Sequence, residues 1–153
     1  MSAPPPQPRR RTAKQQAVQN ALGSNDNFRS AQQLYQQLLH ERPVRIGLTS
    51  VYRILRSLAD DGIAETQRAE DGELLYRLRR TTEHCHYLLC RRCGRAVGFR
   101  PSALEGHTAD LVREHHYAEV THRFDLYGTC PDCQARAARP DDAGDSARHS
   151  ESR

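Results

Sequence analysis

The stretch HCHYLLCRRC at residues 84–93 most constrains what this chain can fold into. Two histidines and three cysteines fall within ten residues, and Cys90 and Cys93 form a CxxC pair. Its counterpart, Cys130 and Cys133, lies far downstream. Two such knuckles present four thiolates tetrahedrally, which suits zinc and ties distant parts of the chain together. Four protein sulfurs leave no open coordination position, so the expected site is structural and not catalytic. The competing readings are two redox dithiols or buried free cysteines. A redox CxxC ordinarily opens a helix within a βαβ pattern, and neither pair is expected to do so here.

The histidines suggest a second site. His84 and His86 are two residues apart, which puts both rings on one face of a strand, with Cys85 and Tyr87 on the other. Glu105 borders the apolar stripe of a later helix, and His122 lies on the apolar face of an alternating stretch. Three imidazoles and one carboxylate make a zinc set that is harder and more exchangeable than four thiolates. Spacing alone leaves the set open, because a histidine on an apolar face is more often a satisfied core residue. Cys85 is left over: it ligates a third metal, serves as a redox-sensitive thiol, or packs as a small hydrophobe. The zinc deaminase signature of H-x-E with P-C-x-x-C is absent, since Thr129 precedes Cys130. No enzyme is expected.

Composition narrows the class. Apolar residues make up 37% of the 153, aromatics 6%, and Trp is absent, so the core is modest and a metal or oligomer interface is needed to support it. No run approaches a membrane span, and the Pro- and Arg-rich start lacks a signal core, which predicts a soluble, cytoplasmic protein with no membrane partner. An odd number of cysteines, five, fits reduced thiolates better than a disulfide framework. Residues 1–80 carry thirteen Lys/Arg against eight Asp/Glu, whereas residues 81–153 carry ten against eleven. A basic front half points to nucleic acid.

In chain order, residues 1–11 read as a disordered basic arm and 12–22 as a helix with Ala17, Val18, Ala21 and Leu22 inward. Ser30 with Gln33 forms a capping box for a second helix carrying Ala31, Leu34, Tyr35, Leu38 and Leu39 on one face. Thr49 or Ser50 is expected to cap a third, whose Val51, Ile54, Leu55 and Leu58 face inward. Arg53, Arg56 and Asp60 lie opposite, with Tyr52 on the flank. Strands at 63–67 and 74–78 follow, joined by Glu70-Asp71-Gly72. Three helices and a hairpin describe a winged helix-turn-helix over 12–80, whose third helix enters the DNA major groove. A hinge is expected at 81–83. The second unit, 84–133, reads as strands at 84–89 and 96–99, a helix from Pro101 with Leu104, Leu111 and Val112 inward, and an alternating strand at 118–127. From Gln134 the chain reads as a disordered tail. The fold class is α+β: a winged helix-turn-helix domain plus a small α+β dimerisation and metal-binding domain.

Several of these segments together resemble the ferric uptake regulator family over about residues 12–133: SAQQLY at 30–35, LTSVYRIL at 48–55, HCHYLLCRRCG at 84–94 and GTCPDC at 128–133. Phe28-Arg29-Ser30-Ala31-Gln32 and Asp71-Gly72-Glu73 make it most similar to the zinc uptake regulator branch of actinobacterial type. The resemblance implies a zinc-responsive homodimeric repressor that reads an AT-rich inverted repeat in double-stranded DNA, with two zinc ions per protomer. It implies sensing ligands His84, His86, Glu105 and His122, and structural ligands Cys90, Cys93, Cys130 and Cys133. Tyr52 and Arg53 match a DNA-contacting pair, and the expected contact set is Lys14, Thr49, Ser50, Tyr52, Arg53 and Arg56.

The chain also departs from the family. A ligand pair used by iron-sensing members corresponds to Phe28 and Arg77, so that site is missing. A third site of actinobacterial zinc regulators corresponds to Glu65, Arg79, Cys85 and Tyr87, and is expected to be lost or rebuilt around Glu65 and Cys85. The alternatives to the zinc repressor are a regulator of the same family answering to another metal or to redox through Cys85, and a zinc-ribbon protein-interaction module.

Overall fold

The computed structural model describes residues 12–138; the expected basic arm and all but the first residues of the expected tail lie outside them. Helix α1 (Ala13–Gly23) starts at Thr12, whose hydroxyl accepts from the Gln15 backbone while Gln15 returns the bond, a reciprocal cap. Its inward residues are the four expected. Ser30 and Gln33 build the same device at α2 (Ala31–Glu41). Ser30 also ends β1 (Arg29–Ser30), a two-residue strand that sequence periodicity did not indicate.

Helix α3 (Leu48–Asp60) departs from expectation at its start. Gly47 is the cap and supplies no side-chain bond, so Thr49 and Ser50 lie inside the first turn. Val51, Ile54, Leu55 and Leu58 are buried as expected. Strands β2 (Ala64–Arg68) and β3 (Leu74–Leu78) pair antiparallel, and β3 also pairs with β1, giving the order β1-β3-β2. One apolar cluster joins α1, α2 and α3 to Ala64 and Tyr76 of this sheet.

The second sheet has the order β5-β4-β6, from β4 (His86–Cys90), β5 (Ala96–Phe99) and β6 (Asp125–Gly128). Strand β4 pairs antiparallel with β5 and parallel with β6. Its expected start at residue 84 moves to His86, and 79–85, which holds the expected hinge, is an irregular connection. The alternating stretch becomes a strand only at Asp125; residues 118–124 find no partner strand among the described residues, and an unpaired backbone does not make a ladder. Helix α4 (Ser102–Glu114) buries no residue in the single chain. Leu104 and Val112 are half-buried, but Leu111 is 51% exposed, against the inward placement expected. Helix α5 (Pro131–Ala138) takes in 134–138, where a tail was expected, because the Cys130 knuckle starts it: Gln134 N–H donates to Cys130 O at 2.9 Å. That pair therefore does open a helix, although no strand follows it among the described residues to complete a βαβ unit.

The two sheets meet through Phe28, Leu75, Tyr87 and Leu89, a second buried cluster. Phe28 N–H donates to Gly94 O at 2.9 Å, and Gly94 sits at φ +73 with the Phe28 carbonyl only 1.9 Å from where a Cβ would be. Only glycine allows that approach.

The two helix starts make a paired prediction. Ser30→Ala removes a side-chain cap and lowers stability by about 1 kcal/mol, whereas Thr49→Ala removes none and leaves stability unchanged. The denaturant midpoints of the two metal-loaded variants check this.

Candidate metal centres

Strand parity sets up the first centre. His86 points to one face of β4 while Tyr87 and Leu89 enter the junction with the first sheet, as the alternation predicts. His84 precedes the strand, Glu105 sits in the first turn of α4, and His122 comes from the irregular 118–124 segment. Their four ligand atoms lie within 4.8 Å of one another. The three Nε2 atoms are 3.1 Å (His84–His86), 3.1 Å (His84–His122) and 3.3 Å (His86–His122) apart. Glu105 Oε1 is 3.4 Å from His84, 3.3 Å from His122 and 2.6 Å from His86.

Those edges test whether a cation fits. Ligands about 2.0–2.1 Å from zinc stand about 3.3–3.4 Å apart in a regular tetrahedron, and five of the six edges agree closely. Hydrogen bonding alone cannot account for the set. A neutral imidazole carries one N–H, and here three rings turn the same nitrogen toward one point beside a carboxylate. A cation bound by His84, His86, Glu105 and His122 satisfies all four acceptors at once. The His86 ring is also the main reason the Glu105 carboxyl titrates below the usual range, with His122 adding to it. Exposure is graded: the His86 side chain is 3% exposed, His122 29%, Glu105 34% and His84 56%. One side of this centre opens to solvent.

The second centre gathers Cys90, Cys93, Cys130 and Cys133, again with all sulfurs within 4.8 Å. Cys93 and Cys130 Sγ are 3.7 Å apart, close to the edge of about 3.8 Å expected for four thiolates around zinc. The first knuckle is held by Gly94 N–H donating to Cys90 O at 3.0 Å. The Cys130 N–H reaches across to Cys90 Sγ at 3.3 Å. Burial works against the Cys90 thiolate, but the N–H groups of Cys130, Cys93 and Arg92 outweigh it and hold the thiol down at about 6. Cys133 is pushed up to about 12, chiefly by its bond to Cys130 and then by burial. Without a cation the four sulfurs cannot share several negative charges. A divalent ion removes that penalty, and Cys90 supplies the first thiolate.

Cys85 and Glu65 belong to neither group of converging ligands. The Cys85 thiol is half-buried, 3.4 Å from His86 O. Glu65 uses both oxygens on Arg77 and Tyr87, at 2.6 and 3.1 Å. Burial first and the Glu65 charge second push the Tyr87 phenol up to about 12, which keeps it a donor. Sequence reading marked Arg77 only as a departure. Its one signal is a charged residue between Tyr76 and Leu78, in a strand whose three central residues are buried.

On the other unit, α3 exposes Tyr52, 46% exposed, together with Arg53 and Arg56. Thr49 is exposed, Ser50 is half-buried at its amino end, and Lys14 is exposed on α1. No helix among the described residues is long and apolar enough to cross a membrane.

Comparison with known proteins finds relatives along most of the chain. The model of the ferric uptake regulator family matches residues 8–127. A zinc uptake regulation protein of Mycobacterium tuberculosis is 37% identical over 127 residues, covering 82% of this chain and 95% of that one. A ferric uptake regulation protein of Neisseria meningitidis is 34% identical over 110 residues, covering 72% and 75%. The crystal structure of the Vibrio cholerae ferric uptake regulator, in which the DNA-binding domains rearrange, superposes with a TM-score of 0.63 at 27% identity, over 79% of this chain and 92% of that one. Matched along most of its length, the chain belongs to the ferric uptake regulator family, which comprises metal-responsive regulators and not enzymes.

Proposed function

We propose that this protein is a zinc-responsive transcriptional repressor whose zinc-loaded homodimer binds AT-rich inverted repeats at zinc-uptake genes in the cytoplasm. The observation that carries this reading is the half-open tetrahedron of His84, His86, Glu105 and His122. Three imidazoles and one carboxylate favour a borderline cation such as zinc over harder ions. The 37% identity to a zinc uptake regulation protein supports the same choice. The cysteine centre holds a second, permanent zinc.

The division of the chain at 81–83 gives each unit one task. In the front unit α3 enters the major groove, with Tyr52, Arg53 and Arg56 on its free face. Gly47 leaves the first N–H groups of α3 without a side-chain cap, so Thr49, Ser50 and the helix end suit a phosphate, with Lys14 adding charge. In the rear unit Leu88, Val97 and Leu126 are 44%, 55% and 42% exposed on neighbouring strands. A second copy covering that apolar face yields a two-fold dimer, whose symmetry matches an inverted repeat. Zinc draws His84, α4 and the 118–124 segment onto β4, and thereby fixes the rear unit in the arrangement that presents both winged units to DNA.

Two experiments test this. The purified protein carries two zinc ions per chain, and mild chelation removes one. His84→Ala starts with one, keeps its fold and loses the zinc dependence of operator binding. Metal analysis together with DNA titration at buffered zinc reads both, and unfolding of the variant would instead make this centre structural.

Arg53→Ala weakens operator binding by roughly 1–3 kcal/mol while both zinc ions stay bound. Binding of the unaltered protein falls steeply with salt. A protein-interaction module has no such affinity to lose, so unchanged DNA binding in Arg53→Ala would remove the reading helix from the proposal.

A further inference from the structure

One buried group of side chains at the meeting of the two sheets belongs to neither ligand set. Arg77 of β3 is 9% exposed in its side chain and Glu65 of β2 is 14% exposed. Arg77 donates to Glu65 Oε1 through Nε at 2.9 Å and Nη2 at 2.6 Å, and through Nη2 to the Tyr87 hydroxyl at 3.0 Å. Tyr87 in turn donates to Glu65 Oε2 at 3.1 Å. The guanidinium lies 4.4 Å from the centre of the Phe28 ring and 4.9 Å from that of Tyr87, and the two rings meet edge to face at 5.3 Å. Each polar group is satisfied by another member of the group, and a planar guanidinium fixes their directions. Arg77 and Glu65 stay paired within the front unit, so moving the rear unit away breaks the two hydrogen bonds of the Tyr87 hydroxyl and its ring contacts, which orient β4 on β2 and β3.

Its position along the chain gives it a role. Tyr87 directly follows His86, so adjacent residues of β4 serve the histidine centre on one face and the front unit on the other. Several links join the units, among them the Tyr127 hydroxyl of β6, which donates to Arg68 O of β2 at 2.9 Å. Phe28 to Gly94 and Glu70 to Arg91, at 2.9 and 3.0 Å, join the front unit to the cysteine knuckle. Tyr87 to Glu65 and Arg77 joins it to the strand of the histidine centre. Gln67 bonds Asp125, three residues after His122, and is a lesser link of the same kind.

We propose that Tyr87 and Arg77 are positioning residues that carry the state of the histidine centre to β2 and β3, with Arg77 acting as a fixed internal cation at the junction. A guanidinium is covalently part of the chain and does not dissociate as a bound metal does, so the junction holds its cation at every zinc level. The coupling is structural. It rests on the repressor reading only where it affects DNA.

Amide hydrogen exchange on the full chain, with the cysteine centre loaded and the histidine centre with or without zinc, tests it. In the unaltered protein zinc slows exchange in β4 and also in β2 and β3. Tyr87→Phe keeps the ring contacts but removes the hydroxyl; it retains the slowing in β4 and loses at least about fivefold of that in β2 and β3. Glu65→Gln combined with Arg77→Met removes both charges together, leaves neither stranded, and gives the same loss. Equal protection of β2 and β3 by zinc in the unaltered protein and both variants overturns the proposal, as does absence of that protection in the unaltered protein. Zinc-independent operator binding alongside the expected exchange pattern overturns the repressor reading and leaves the relay standing.

Discussion

The rear unit depends on cations because it has almost no core of its own. Among the described residues beyond 90, only Cys133 is buried. Helix α4 buries nothing, and the buried apolar residues of β4, Tyr87 and Leu89, pack against the front unit. Each buried aliphatic side chain contributes about 1.5–3 kcal/mol, and this unit has few of them. A structural zinc contributes on the order of 10 kcal/mol, enough to replace several. Strand β4 is where the replacement occurs: it starts at a histidine ligand and ends at a cysteine ligand only four residues later.

The two centres differ in donor chemistry and in exposure. Thiolates bind a soft or borderline ion strongly. Two of the four, Cys90 and Cys133, are buried, and a lowered Cys90 thiol makes the first step of binding favourable near neutral pH. The histidine centre offers three neutral imidazoles and one carboxylate in place of four thiolates. Its most exposed member, His84, lies outside any strand. Strand β4 contributes His86 to one ligand set and Cys90 to the other.

The cysteine pairs were legible in the sequence by type and spacing. Spacing alone left His84, His86, Glu105 and His122 open, because His84 precedes β4 and Glu105 and His122 converge on His86 only in the fold. The buried faces of α1 and α3 were equally plain, since a 3.6-residue period is local. What escaped was non-local. The cap of α3 moved to Gly47 because the chain entering the helix, not the nearest hydroxyl, decides where it begins. Residues 118–124 have strand alternation but no strand beside them, and α4 has an apolar stripe with nothing over it in one chain. In both, a local pattern has no facing element among the described residues. Arg77 was hidden for another reason. A charged residue in a strand reads as solvated until the fold sets Glu65, Tyr87 and Phe28 around it.

Placing a side-chain cation at the junction also limits what kind of response the molecule can give. An exchangeable ion at that position adds a second concentration-dependent step, and two such steps in series grade the output. A guanidinium cannot be titrated by metal, so the junction contributes stiffness and no threshold of its own. On the proposed relay, linkage requires that DNA raise zinc affinity at the histidine centre by the factor that zinc raises DNA affinity. The coupling then runs mainly along β4, where His86 and Tyr87 stand back to back, with Gln67 and Asp125 as a lesser path.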